Sequence, residues 1–267
     1  MEPITSSRNP LIKNIKRLSR RKQREKDRKF LIEGARIVAE AVQSGWPLEL
    51  VLTSPGFSGP DREQLTGLLR ARAIKTVELP PALFNELAET ESPQGIIALA
   101  AMPGWRLEKL AAGDRSGSPV IVVVDGVQDP GNLGTIIRSA DAFGADAVLL
   151  TRGTVDLYNP KTLRSTMGSI FHLPVLHNLE AGDVALFLDS RGLTLLVGDP
   201  GAPNALSGID LRGPVALLLG SEARGPGGEY AVRRRVTVTI PMPGRAESLN
   251  VGVAASIMLY EISRQRS

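Results

Sequence analysis

Residues 119–150, "PVIVVVDGVQDPGNLGTIIRSADAFGADAVLL", restrict the fold more than any other part of the chain. The β-branched run 119–124 is apolar throughout and as short as a strand, and 147–150 repeats the pattern. Runs of this kind suit strands buried on both faces of a sheet. Residues 133–143 between them have helical character, and "DGVQDPGN" is a Gly-, Asp- and Pro-rich turn with Asn132 placed where a helix should begin. The stretch therefore predicts a β-loop-α-β unit in an α/β fold, whose loops at the strands' carboxyl ends are the places where such sheets bind ligands. One residue stands out. Arg138 lies among Ile136, Ile137 and Ala140, where an arginine either snorkels to the surface or serves a ligand.

With 267 residues, the chain has room for two domains, and its 42% hydrophobic content supports a sizeable core. No apolar run approaches the roughly 20 residues that span a membrane, which predicts a soluble protein with no membrane partner. The start, "MEPITSSRNPLIKNIKRLSRRK", lacks the apolar core of a secretory signal, so a cytoplasmic location is expected. The absence of cysteine excludes disulfides, thiolate metal sites and a thiol nucleophile. The only histidines are His172 and His177, which would need carboxylate help to hold a metal, so no metal is expected. A GxSxG elbow is also missing, which weakens hydrolase readings.

Charge is concentrated at one end. Residues 1–29 hold eleven basic side chains against three acidic ones, a balance of +8, while the whole chain carries +4. The remainder is therefore at −4. Leu11, Ile15 and Leu18 recur at helical spacing within the basic segment, giving one buried stripe and a cationic remainder that suits a polyanion. Arg8, Lys13, Lys16, Arg17, Arg20, Arg21 and Arg24 are the candidates there for contact with such a polyanion. From Phe30 to about residue 100, short apolar runs alternate with helical ones, which predicts a small α/β domain over 1–100. The Gly- and Pro-rich stretch 101–118 reads as a linker, and a second domain follows over 119–267.

Two further loops follow buried strands. After 215–219 comes "GSEARGPGG", whose GxxxxG spacing suggests a phosphate loop, but Pro226 stands where that motif needs Lys. The dinucleotide fingerprint fails as well, which disfavours a Rossmann-type oxidoreductase. In "IPMPGRAESLNVGVAASIMLYEI", Pro241 and Pro243 stop a strand, and Ser248 and Asn250 flank Leu249 at the start of a helix running to about Arg264. Ser248 reads either as the helix N-cap or as a site residue. The three loops together offer Asn132, Arg138, Glu222, Ser248 and Asn250.

"DPGNLGTIIRSADAFGAD", "LLLGSEARGPG" and "IPMPGRAESLNVGVAASIMLYE" closely resemble, in this order, the three motifs of the SpoU/TrmH family of RNA ribose 2′-O-methyltransferases in the SPOUT superfamily. "ITSSRNPLIKNIKRL", "RKFLIEGARIVAEAV" and "ESPQGIIAL" resemble that family's substrate-binding N-terminal domain, itself related to kink-turn-binding ribosomal proteins. The resemblance covers nearly the whole chain. It implies S-adenosyl-L-methionine as cofactor, a parallel sheet closed by a deep C-terminal trefoil knot, and a homodimer, for which the small residues Gly252, Ala254, Ala255 and Ser256 would allow close helix approach. It implies cofactor contacts at Leu219, Gly220, Ile240, Met242 and Leu249, and polar active-site roles for Asn132, Arg138, Glu222, Ser248 and Asn250. The family's second motif usually reads Gly-Asn-Glu, and Ser221 stands here at the Asn position, shortening an amide to a hydroxyl.

The expected reaction is methyl transfer to a ribose 2′-hydroxyl of RNA, with large-subunit (23S) rRNA first and tRNA second as substrate, in either a housekeeping or an antibiotic-resistance role. A non-catalytic RNA-binding protein that kept the fold is the alternative. Lys161 and Arg164, with Asn159, are further candidates for RNA contact. Arg138 reads either as the family's proposed base or, since guanidinium is essentially never deprotonated, as a phosphate clamp.

Overall fold

The computed structural model describes residues 4, 6–110, 118–221 and 230–267, and the chain divides into two compact units, Met1–Gly104 and Trp105–Ser267. The first unit opens with α1 (Pro10–Arg17) and α2 (Arg21–Asp27). Asn9 caps α1 by accepting the Leu11 N–H, and Pro10 occupies its first turn, where no N–H is needed. Ile12, Ile15 and Leu18 are fully or nearly fully buried, whereas Leu11 only borders the core.

Strands β1 (Lys29–Glu33), β2 (Leu48–Thr53), β3 (Thr76–Glu78) and β4 (Ile96–Ala101) form a sheet in the order β1-β4-β2-β3. Strand β4 is antiparallel to both its neighbours, and β3 runs parallel to β2. On one face Leu50, Leu52, Ile97 and Leu99 pack with α1 and with Leu83 and Phe84 of α5 (Pro81–Asn85). Helices α3 (Ala35–Gln43) and α4 (Pro60–Ala71) pack against each other, and α3 also contacts β1 and β4. A sheet covered on two faces explains why "IIALAA" is apolar without alternation.

The second unit is built on six parallel strands in the order β10-β8-β9-β5-β6-β7. These are β5 (Val120–Asp125), β6 (Ala147–Thr151), β7 (Val175–Leu179), β8 (Thr194–Gly198), β9 (Val215–Gly220) and β10 (Arg235–Val238). All six residues of β5 are buried. Ile121, Val123, Leu149, Leu195 and Leu218 share one cluster with Val184 and Leu188 of α8 (Ala181–Ser190). The residues of α6 (Pro130–Ala142) and α9 (Val251–Arg264) lie outside that cluster; these helices pack on each other, α6 contacting β6 and α9 contacting β9. Leu110 is buried in the second unit's core, so the stretch read as a linker over 101–118 is partly built into that unit. The expected knot depends on the path that follows β9, and 222–229 lie outside the described residues.

Helix α6 starts earlier than its sequence suggests. Asp129, not Asn132, is the N-cap: its carboxylate accepts the Asn132 N–H at 2.8 Å, and Pro130 follows at N1. The same helix lies close against α7 (Pro160–Ser165) at Gly134, where an added Cβ would stand 2.2 Å from Ser165 Cβ and 2.9 Å from its backbone carbon. Backbone cannot yield as a flexible side chain does. Gly134→Ala is therefore expected to destabilise the protein by about 1–3 kcal/mol, the usual cost of overpacking, read as a lower urea midpoint at unchanged slope. Wild-type stability in this variant would show that α7 can shift freely.

Candidate active site

The loops at the carboxyl ends of β8, β9 and β10 enclose a cleft of about 240 Å³. Leu219, Gly220, Ile240, Met242 and Leu249 line it, as do Ser221 and Ser248. Sequence reasoning missed its other wall, made by Gly198 at the end of β8 and Asp199 and Pro200 after it, together with Thr239, Ala254 and Met258. The lining is mostly aliphatic, with a few polar groups at defined points. That mixture suits a nucleoside-bearing cofactor, since a purine takes the apolar wall and its hydrogen-bonding edges take strand-end backbone groups and side chains.

Leu249 lies on the cleft wall, and the next residue caps α9. Asn250 Oδ1 accepts the N–H of Gly252 at 2.9 Å and that of Val253 at 3.3 Å. Asn250, and not Ser248, is therefore the N-cap, and Ser248 is left exposed at the cleft. The Asn250 Nδ2 donates to Asn132 Oδ1 at 2.9 Å, joining the first and third loops directly. Farther along the same two helices, Ser139 and Ser256 share a 2.7 Å hydroxyl bond, and a Cβ at Gly252 would meet Thr135 Cγ2 at 3.0 Å. Gly252, Ala255 and Ser256 thus serve packing within the chain, and Ala254 faces the cleft. This corrects their sequence-based assignment to a dimer contact.

Arg138 is exposed on α6, one turn beyond Gly134 and so toward α7. Among the described residues it has no ion-pair partner, and it does not line the cleft. Helix α7 supplies Lys161 and Arg164, both exposed. The Lys161 ammonium lies 3.4 Å from Asp129 Oδ2. The Asn132 backbone bond first, and Lys161 with it, hold the Asp129 carboxyl below its usual range against the opposing effect of desolvation. Asn159, a weaker RNA candidate, is the α7 N-cap and accepts the Lys161 N–H at 2.9 Å. Glu222 lies outside the described residues.

In the first unit, Arg8, Lys13, Lys16, Arg17, Arg20 and Arg21 are exposed. Lys16 pairs with Glu86, and Arg21 with Glu25. Arg24 must be removed from the set of RNA contacts. Its side chain is buried, and its Nη1 donates to the carbonyls of Leu18 and Ser19, both at 2.8 Å, satisfying acceptors that the end of α1 leaves without helical partners. Among the described residues no helix is long and apolar enough to cross a membrane, and no group of three metal-ligating side chains occurs.

Comparison with known proteins agrees with this geometry. Residues 119–260 match the SpoU rRNA Methylase family, and residues 9–98 match the MRM3-like substrate binding domain. The chain is 37% identical to the 23S rRNA (guanosine(2553)-2'-O)-methyltransferase RlmP of Bacillus subtilis, over 98% of this chain and 99% of that protein. It is 33% identical to the 23S rRNA (uridine(2479)-2'-O)-methyltransferase of Streptomyces viridochromogenes, over 93% of this chain and 87% of that protein. The crystal structure of the SpoU methyltransferase AviRb from Streptomyces viridochromogenes with its cofactor AdoMet superposes with a TM-score of 0.84 at 32% identity, covering 97% of this chain and 98% of that one. With two family models matched in order and full-length relatives of this similarity, the chain belongs to the SpoU rRNA methylase family.

Proposed function

We propose that the protein transfers a methyl group from S-adenosyl-L-methionine to a ribose 2′-hydroxyl of 23S rRNA. One observation carries this reading: residues 248–250 run from the wall of the cofactor cleft to a side-chain bond with Asn132, so donor and substrate groups are held by one short stretch of backbone. When bound, the cofactor supplies an electrophilic methyl on a sulfonium. The chain has to align a weakly nucleophilic hydroxyl with it and favour loss of the hydroxyl proton. Arg138, permanently charged, clamps the adjoining phosphate and stabilises negative charge developing on the 2′-oxygen. Asn132 and Asn250 orient the ribose, Ser248 bonds to it at the cleft mouth, and Glu222 orders the loops. Leu219, Gly220, Ile240, Met242 and Leu249 hold the nucleoside part of the donor.

Support for rRNA over tRNA comes from the two full-length relatives, both named for 23S rRNA. They act on different nucleotides, so the position has to be mapped. Purified protein with methyl-labelled cofactor should label 23S rRNA, and primer extension at low nucleotide concentration should stop at one position that is absent without the protein. Labelling of tRNA alone would refute the rRNA assignment.

A homodimer completes this reading. Val253, Ile257 and Tyr260 are 46%, 36% and 54% exposed and recur at helical spacing on α9, beside the Gly252–Ser256 row that packs on α6, with Tyr260 also meeting Phe143 edge-on at 6.0 Å. An apolar stripe of this kind on a helix next to the site suits a second copy of the chain. Full-length protein should sediment as a dimer at micromolar concentration, and Ile257→Glu as a monomer with unchanged circular dichroism. A monomeric wild type would rule the dimer out.

A further inference from the structure

Asp199 is the only charged side chain lining the cleft among the described residues. It is the first residue after β8, and its backbone is pinned by an N–H bond to the Val238 carbonyl at 2.9 Å. Its Oδ1 accepts the Gly201 N–H at 2.8 Å, which fixes the carboxylate plane and leaves Oδ2 as the second acceptor. The side chain is exposed at the rim, while Leu218, Val238 and Met258 form the apolar wall deeper in.

Sheet order indicates what Asp199 meets. The substrate-side Asn132 follows β5, and β8 lies two strands away across β9, about 10 Å at ordinary strand spacing. A donor whose methyl group reaches the Asn132 end therefore leaves its nucleoside at the β8 end. There the base takes the apolar wall, and the sugar's vicinal hydroxyls, which are hydrogen-bond donors, sit at the rim. An acidic side chain beyond a parallel strand commonly accepts ribose hydroxyls in nucleotide-binding sheets.

We infer that Asp199 is a specificity-determining residue for the methyl donor, its Oδ2 accepting the 2′- and 3′-hydroxyls of the cofactor's ribose. The inference rests on the cleft being the S-adenosylmethionine site. Asp199→Asn keeps the oxygen that accepts the Gly201 N–H and replaces only the second acceptor by a donor. Calorimetry on full-length protein should show this variant binding S-adenosylmethionine and 5′-methylthioadenosine, which lacks the amino-acid arm, more weakly by the same factor. That factor is about ten- to a hundredfold, the scale of one charge-assisted hydrogen bond. Wild type should discriminate against 2′,3′-dideoxy-5′-methylthioadenosine by a similar factor, and the variant should not. Three results would overturn the inference: unchanged affinities, loss confined to S-adenosylmethionine, or undiminished discrimination against the dideoxy compound. Failure of the wild type to bind S-adenosylmethionine at all is a different result, and it would overturn the cofactor assignment itself.

Discussion

Arg138→Ala should lower methyl transfer by at least about 10²- to 10³-fold, the scale of removing one preorganised group that stabilises transition-state charge. Its affinity for S-adenosylmethionine should stay within a few-fold of wild type. The separation follows from geometry, because Arg138 is exposed on α6 and absent from the cleft lining, whereas the cleft is built from the ends of β8, β9 and β10. Folding should be spared too, since the side chain is exposed. Arg138→Lys keeps the charge but loses the planar fork that grips a phosphate at two points, so it should recover only part of the activity. Calorimetry for the cofactor and single-turnover assays for the reaction provide the comparison. Cofactor binding lost as completely as activity would contradict the clamp.

The second large effect concerns salt. Arg8, Lys13, Arg17 and Arg20 are exposed on the first unit, and none has a carboxylate partner among the described residues. If these four meet phosphates, counterion release contributes a log–log slope of about −3 to −4, so a fourfold rise in salt weakens binding by roughly 60- to 250-fold. Replacing all four by alanine should flatten the slope by nearly that amount while leaving cofactor affinity alone. Deleting residues 1–29 would be the wrong test, since Ile12, Ile15 and Leu18 are part of the core that closes over β2 and β4. Equal slopes for wild type and the fourfold variant would mean that these cations touch no phosphate.

The strands of the second unit could be read from sequence because both faces of the sheet are covered, so that β5, β6 and β9 spell almost uninterrupted apolar runs. Helix starts were less legible. Asp129-Pro130 carries the N-cap and N1 signal three residues before Asn132, and a side chain at a helix start attracts attention as chemistry even when it is also a cap, as with Asn250. Burial of Arg24 left no trace in the charge pattern, because its partners are the carbonyl groups of Leu18 and Ser19, which any residue would carry. The wall at Gly198, Asp199 and Pro200 had a usable signal: "VGDPG" ends a buried strand with the same residue types as the loop after β5. Small residues in α9 misled for a related reason, since close packing reads alike whether the neighbour is α6 or a second subunit.

The bond between Asn250 and Asn132 also has a direction. Two backbone N–H groups of α9 converge on Asn250 Oδ1, so the amide cannot be turned over, and its nitrogen is obliged to face Asn132. That in turn obliges Asn132 to offer its oxygen inward and its nitrogen on the other side. The orientation of a helix cap is thereby handed through two amides to a residue proposed to meet substrate, and whatever meets the Asn132 nitrogen has to be an acceptor. A phosphate or ribose oxygen satisfies that condition, and an ammonium or guanidinium group does not.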